Sequence, residues 1–212
     1  MRKGFTLAEI LISLTIVGVI SLLTLPSIIG TYRTKIYTTQ LQKVYSQLST
    51  AIEQVISDEH ADNLNSENED VLTGFYATSV YDNPDDFFKY VKKTKTCNPS
   101  TCLANSYKKP NGTSLSSMAT YRTCIATSSG AVVCMRFDQG KGVTTFLVDV
   151  NGAKDPNMTG LDTFVMQVAD NGALVDTTKD ASKCNKGSGT VEAAAAGCIA
   201  KASKNGWSVK ND

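Results

Sequence analysis

A chain of 212 residues has room for one globular head with extra elements rather than for several domains. Its 21 basic and 20 acidic residues leave a formal net charge of +1, scattered rather than blocked. Nucleic acid is therefore not indicated as a partner, and the recognition surfaces are read as protein surfaces.

In chain order, Met1-Arg2-Lys3-Gly4 is followed by Phe5-Thr6-Leu7-Ala8-Glu9, and then no charge occurs from Ile10 through Tyr32. About 20 apolar residues at 1.5 Å each cover a hydrocarbon core of about 30 Å, so this run predicts a transmembrane helix over about residues 9–32. A secretory signal would have a shorter apolar region ending in an Ala-x-Ala type site, and neither is present. Basic residues flank the run on both sides (Arg2 and Lys3, Arg33 and Lys35), so charge alone does not orient it. The six cysteines, all beyond residue 96, supply the orientation: they fit an oxidising compartment, which puts the C-terminal side outside the cell membrane. Glu9 needs a partner, because an ionised side chain in a membrane helix costs about 2.5 to 3.5 kcal/mol on insertion scales.

The string Gly4-Phe5-Thr6-Leu7-Ala8-Glu9 before an apolar stretch closely resembles the processing site of type IV prepilins and type II secretion pseudopilins. The resemblance implies a prepilin peptidase that cuts after Gly4 and N-methylates Phe5, with Met1–Gly4 as a short leader. It also implies that Glu9 meets the cationic amine of a neighbouring subunit. Pairing two opposite charges in a low-dielectric bundle offsets much of each desolvation penalty, and it selects register more than it adds stability.

From Arg33 onward, Ile36, Tyr37, Leu41, Val44, Tyr45, Leu48, Ile52, Val55 and Ile56 recur at steps of three and four. They form the apolar face of an amphipathic helix over about residues 33–60, so that 5–60 reads as one long helix. Pro26 removes a backbone donor and crowds the Leu22 carbonyl, which predicts a kink or local loosening. The family resemblance implies partial melting there during assembly; an ordinary membrane-helix proline is the other reading. His60, the single histidine, reads as a helix-end residue.

Residues 61–117 read as a connecting region, with a short helix at Phe87–Val91 docking aromatic side chains. Strand-like runs follow at Thr120–Thr127, Ala131–Phe137, Val143–Val150, Thr163–Ala169 and Ala173–Asp176, with hairpin-compatible turns between them. Residues 118–177 thus predict an antiparallel meander. The loop from Val148 to Phe164 is dense in Asp, Asn and Gly, which hold turns by bonding local backbone. Calcium is the competing reading, with Asp149, Asn151 and Asp162 as ligands, although the spacing lacks the EF-hand pattern.

Cys97 and Cys102, Cys124 and Cys134, and Cys184 and Cys198 are spaced as consecutive pairs, the cheapest loops to close, although six cysteines allow many connectivities. A zinc site would call for Cys-x-x-Cys, which is absent. Residues 178–212 read as a disulfide-bounded C-terminal region with one short helix, Thr190 to Ala202, stopped at Asn205-Gly206.

The fold class is α+β: a long N-terminal helix packed on an antiparallel meander. The resemblance implies a non-enzymatic filament subunit without a cofactor. Before assembly it sits once through the cytoplasmic membrane, in contact with lipid, with its head outside. It then enters an extracellular or periplasmic filament through an inner-membrane platform and its ATPase. Pilin and pseudopilin of a secretion or competence system are the two variants. A membrane-tethered exocytoplasmic enzyme or binding module is the reading from another class, and no nucleophile elbow, phosphate loop or metal motif supports it.

Overall fold

The structure is a computed structural model and describes residues 4–58, 87–116, 118, 120–138, 143–169 and 171–209. His60, and Met1, Arg2 and Lys3 of the expected leader, lie outside the described residues.

Helix α1 spans Leu7–Asp58, 52 residues and about 80 Å long. Its helical assignment runs on through Pro26, the position where the sequence predicts a kink or local loosening. One missing hydrogen bond does not end a helix whose flanking turns propagate on either side. Hydroxyls in the apolar half are spent locally: Ser13 donates to the Glu9 carbonyl, Thr15 to Leu11 and Thr24 to Ile20, at 2.7 to 2.9 Å. These hydroxyls are thus satisfied within the helix.

Six antiparallel strands form the main sheet in the order β1-β4-β5-β6-β7-β8: β1 Lys93–Cys97, β4 Thr123–Thr127, β5 Val132–Asp138, β6 Val143–Asp149, β7 Thr163–Val168 and β8 Leu174–Asp176. The five expected strands are present. The sixth, β1, comes from the stretch read as connection. Its sequence Lys-Thr-Lys-Thr-Cys has little apolar character because it is an edge, where lysines discourage further strand pairing. The expected short helix at Phe87–Val91 is a single turn, in which the amides of Tyr90 and Val91 donate to the carbonyls of Phe87 and Phe88.

Both faces of the sheet are covered, which explains why its central strands are apolar in consecutive positions. On one face Val133, Met135, Phe146, Val148, Phe164 and Met166 meet the α1 stripe Leu41, Val44, Leu48, Ile52 and Val55, together with Phe87 and Phe88. On the other face Cys124, Cys134, Leu147 and Val165 pack under a layer built from the disulfide-closed turn α2 (Pro99–Cys102), the small ribbon β2 (Tyr107–Lys108) and β3 (Ser114–Leu115), and helix α3 (Val191–Ala195).

The expected single C-terminal helix is two, α3 and α4 (Cys198–Lys204), because Gly197 adopts a left-handed φ of 83° between them. A Cβ at Gly197 would meet the Asp180 carbonyl oxygen. The start of α4 is held from outside: Asp176, on β8, accepts from the amides of Gly197 at 2.7 Å and Ala200 at 2.9 Å. The chain end returns to α1, where Trp207 packs edge-on to Tyr45 with ring centroids 4.7 Å apart and the Val209 amide donates to Thr38.

Leu48 is fully buried between α1 and the sheet. Leu48→Ala is expected to destabilise the head by about 2–5 kcal/mol, read from the shift of its denaturation midpoint with the slope unchanged.

Candidate functional site

At the N-terminus, Gly4, Phe5 and Thr6 precede α1 without regular structure. Phe5 is 85% exposed, and the space around Gly4 is open. Thr6 is the N-cap of α1 and Glu9 its third residue, and the two side chains satisfy each other's backbone. The Thr6 amide donates to Glu9 Oε2 at 2.8 Å, and the Glu9 amide donates to Thr6 Oγ1 at 3.3 Å. The Thr6 hydroxyl also donates to the same Oε2, at 2.8 Å. This is a capping box, worth about 1 kcal/mol to the end of the helix. Thr6 is not among the residues singled out from sequence, although Thr-x-x-Glu is itself the sequence pattern of the box.

Beyond this cap α1 is apolar and bare. Sixteen large apolar side chains from Phe5 to Tyr32 are exposed. Among the described residues this is the one helix long and apolar enough to cross a membrane. Residues 1–25 match the family model for the prokaryotic N-terminal methylation motif. The chain carries the type IV pilin and pseudopilin signal. No curated protein and no solved structure matches the chain. The pilin-type signal supports a pilin-like or pseudopilin precursor of a structural-subunit family and implies peptidase processing and filament assembly in general. With the long apolar helix, it fits a membrane-anchored precursor.

In the head, the loop from β6 to β7 brings Asp149, Asn151 and Asp162 close together. Asp162 accepts from the amides of Asn157 at 2.9 Å and Met158 at 2.6 Å, and from the Thr163 hydroxyl at 3.1 Å, so both of its oxygens hold the turn. Asp149 accepts from the Tyr107 hydroxyl at 3.0 Å and from the Asn151 amide at 3.3 Å. The Asn151 side-chain NH2 donates to the Lys154 and Asp155 carbonyls and to the Tyr37 hydroxyl. Both carboxylates thus accept donors of their own loop, while the side-chain carbonyl oxygens of Asn151 and Asn157 are buried without a hydrogen-bond partner among the described residues. No group of three or more His, Cys, Asp or Glu side chains able to hold a metal ion occurs among the described residues.

Three disulfides join Cys97 to Cys102, Cys124 to Cys134 and Cys184 to Cys198. The sheet register sets Cys97, Cys124 and Cys134 in one row across β1, β4 and β5. Cys184 follows a short 3-10 turn at Ala181–Lys183, so its bond ties that turn to α4. Gly160, with φ of 76°, lies where a Cβ would stand 3.0 and 3.1 Å from the two sulfurs of this bridge, so the β6–β7 loop seats directly on it.

Burial pushes the Asp149 carboxyl up to about 8, with the nearby Asp162 charge adding to the effect. Burial raises Asp162 to about 6 against its three donors. Tyr107, buried beside Asp149, is raised further and stays a donor. A carboxyl whose folded pKa is raised gives stability that is full below its unfolded value, about 4, and lost as pH rises through the folded value. The head is therefore expected to lose more than about 1 kcal/mol between about pH 5 and pH 8, and Asp149→Asn is expected to flatten that slope in denaturant titrations at each pH.

Proposed function

We propose that this chain is a structural subunit, major or minor, of a type IV pilus or a related filament. It waits in the cytoplasmic membrane with its head outside, is cut after Gly4, and is methylated on the new amine of Phe5. An inner-membrane platform driven by an ATPase then moves it into a filament, where α1 forms the core and the head forms the surface.

One juxtaposition carries the reading. The methylation motif at residues 1–25 lies on a helix whose second half is covered by its own head while its first half is exposed, covered by nothing among the described residues. Lipid before assembly and neighbouring copies of α1 afterwards are the two surroundings that suit so much exposed apolar surface. Glu9 then has two successive partners, Thr6 within the subunit and the Phe5 amine of a neighbour.

A pseudopilin would use the same mechanism. The pilus is favoured by the Cys184–Cys198 bridge, which closes the C-terminal region. In the resembling family such a bridge bounds the displayed region of many pilins, whereas major type II pseudopilins usually lack it and use calcium.

Mass spectrometry of the N-terminal peptide from filaments sheared off the native host tests processing and assembly together. The expected peptide begins at N-methylated Phe5. Cleaved chain confined to the envelope would move the assignment to a pseudopilus, and an intact Met1 would overturn it. Glu9→Gln, which removes the charge at nearly constant size, is expected to lower the sheared yield at least about tenfold while the head still folds.

A further inference from the structure

Glu9 presents a problem that assembly alone does not solve. Its charge must persist in the membrane before any neighbour arrives, in a medium where an unpartnered carboxylate takes up a proton rather than stay ionised. A protonated Glu9 would have no charge to offer an incoming amine.

The cap geometry answers this. Each of the side chain's hydrogen bonds within the subunit ends on Oε2: the Thr6 amide and the Thr6 hydroxyl, both at 2.8 Å. Two donors on one oxygen supply the ionised form with polar contacts that lipid lacks. Oε1 takes no hydrogen bond among the described residues. The carboxylate is thus divided into a held oxygen and an open one. Neither donor belongs to the leader, so hydrolysis of the Gly4–Phe5 bond, which leaves a Gly4 carboxylate and a Phe5 ammonium, does not touch the cap.

We propose that Thr6 is a positioning residue for assembly: it keeps Glu9 ionised and fixed in the lone subunit through Oε2, and so presents Oε1 to the ammonium of the next subunit. This rests on the filament-subunit reading above. Thr6 itself contacts no neighbour in this role, and its action passes through Glu9. The hydroxyl is the essential part, because the amide donor is present whatever residue stands at position 6. Serine can therefore replace threonine, whereas valine, of the same shape, cannot.

Two measurements on the full chain test this. In phospholipid vesicles at neutral pH, the infrared difference between each chain and its own Glu9→Gln counterpart isolates the Glu9 carboxyl and reads its protonation. In the native host, the amount of subunit in sheared filaments reads assembly. Wild type and Thr6→Ser are expected to show an ionised Glu9. Thr6→Val is expected to show a protonated one, with at least about fivefold less chain in filaments. An ionised Glu9 in Thr6→Val, normal incorporation of that variant, or a Thr6→Ser that fails as Thr6→Val does would each overturn the proposal. Absence of the wild-type chain from sheared filaments would overturn the pilus reading instead, while the infrared arm would still decide whether Thr6 holds the Glu9 charge.

Discussion

One continuous helix has to satisfy two surroundings, and most of the molecule follows from where the change falls. Up to about Tyr32 α1 is apolar on every side. Beyond Ile36 it keeps a single apolar stripe, Tyr37, Leu41, Val44, Leu48, Ile52 and Val55, and that stripe is buried on the sheet. The two halves are segments of one helix, so the head and the apolar run are joined without an intervening loop. Ser13, Thr15 and Thr24 in the first half bond back to carbonyls of their own helix, which satisfies these hydroxyls without an outside partner.

The head is built to hold the second half of α1 from several directions at once. The sheet supplies apolar area, and polar ties at the rim fix register. Tyr45 donates to the Leu174 carbonyl at 2.7 Å, Gln40 to Ser129 at 3.2 Å, and Tyr90 to Asp58 at 2.6 Å. The C-terminal region completes the grip through Trp207 and Val209. Its own conformation depends on parts far apart in sequence: Asp176 caps α4 from the last strand, the Cys184–Cys198 bridge ties α4 to the preceding turn, and Gly160 lets the β6–β7 loop press on that bridge. The C-terminal region and the helix-binding face of the head are thus joined by packing, a disulfide and hydrogen bonds.

The two ends of the molecule treat carboxylates in opposite ways. Glu9 lies at the end of an exposed helix and keeps one oxygen open, whereas Asp149 and Asp162 are enclosed, and their oxygens are taken by turn amides and hydroxyls. Placement in the fold makes the difference: an open lone pair at an exposed helix end can receive a partner from outside, and one closed into a buried loop cannot.

Local, periodic features were legible in the amino-acid sequence. The membrane run, the amphipathic stripe, five of the six strands and the processing motif all depend on patterns within a few turns or residues, and such patterns leave their mark on neighbouring positions. Features that depend on distant partners were not legible. β1 is a strand because β4 offers it an edge, and its lysine-rich sequence does not announce that. The split between α3 and α4 is decided by the crowding of Gly197 against Asp180 and by the cap that Asp176 provides, and the alanine-rich sequence reads as a single helix without them. The second face of the sheet was hidden for the same reason, since residues 99–115 and α3 cover it from two separate parts of the chain. Local sequence encodes which segments can be helix or strand, and long-range packing selects among those options wherever the local preference is weak.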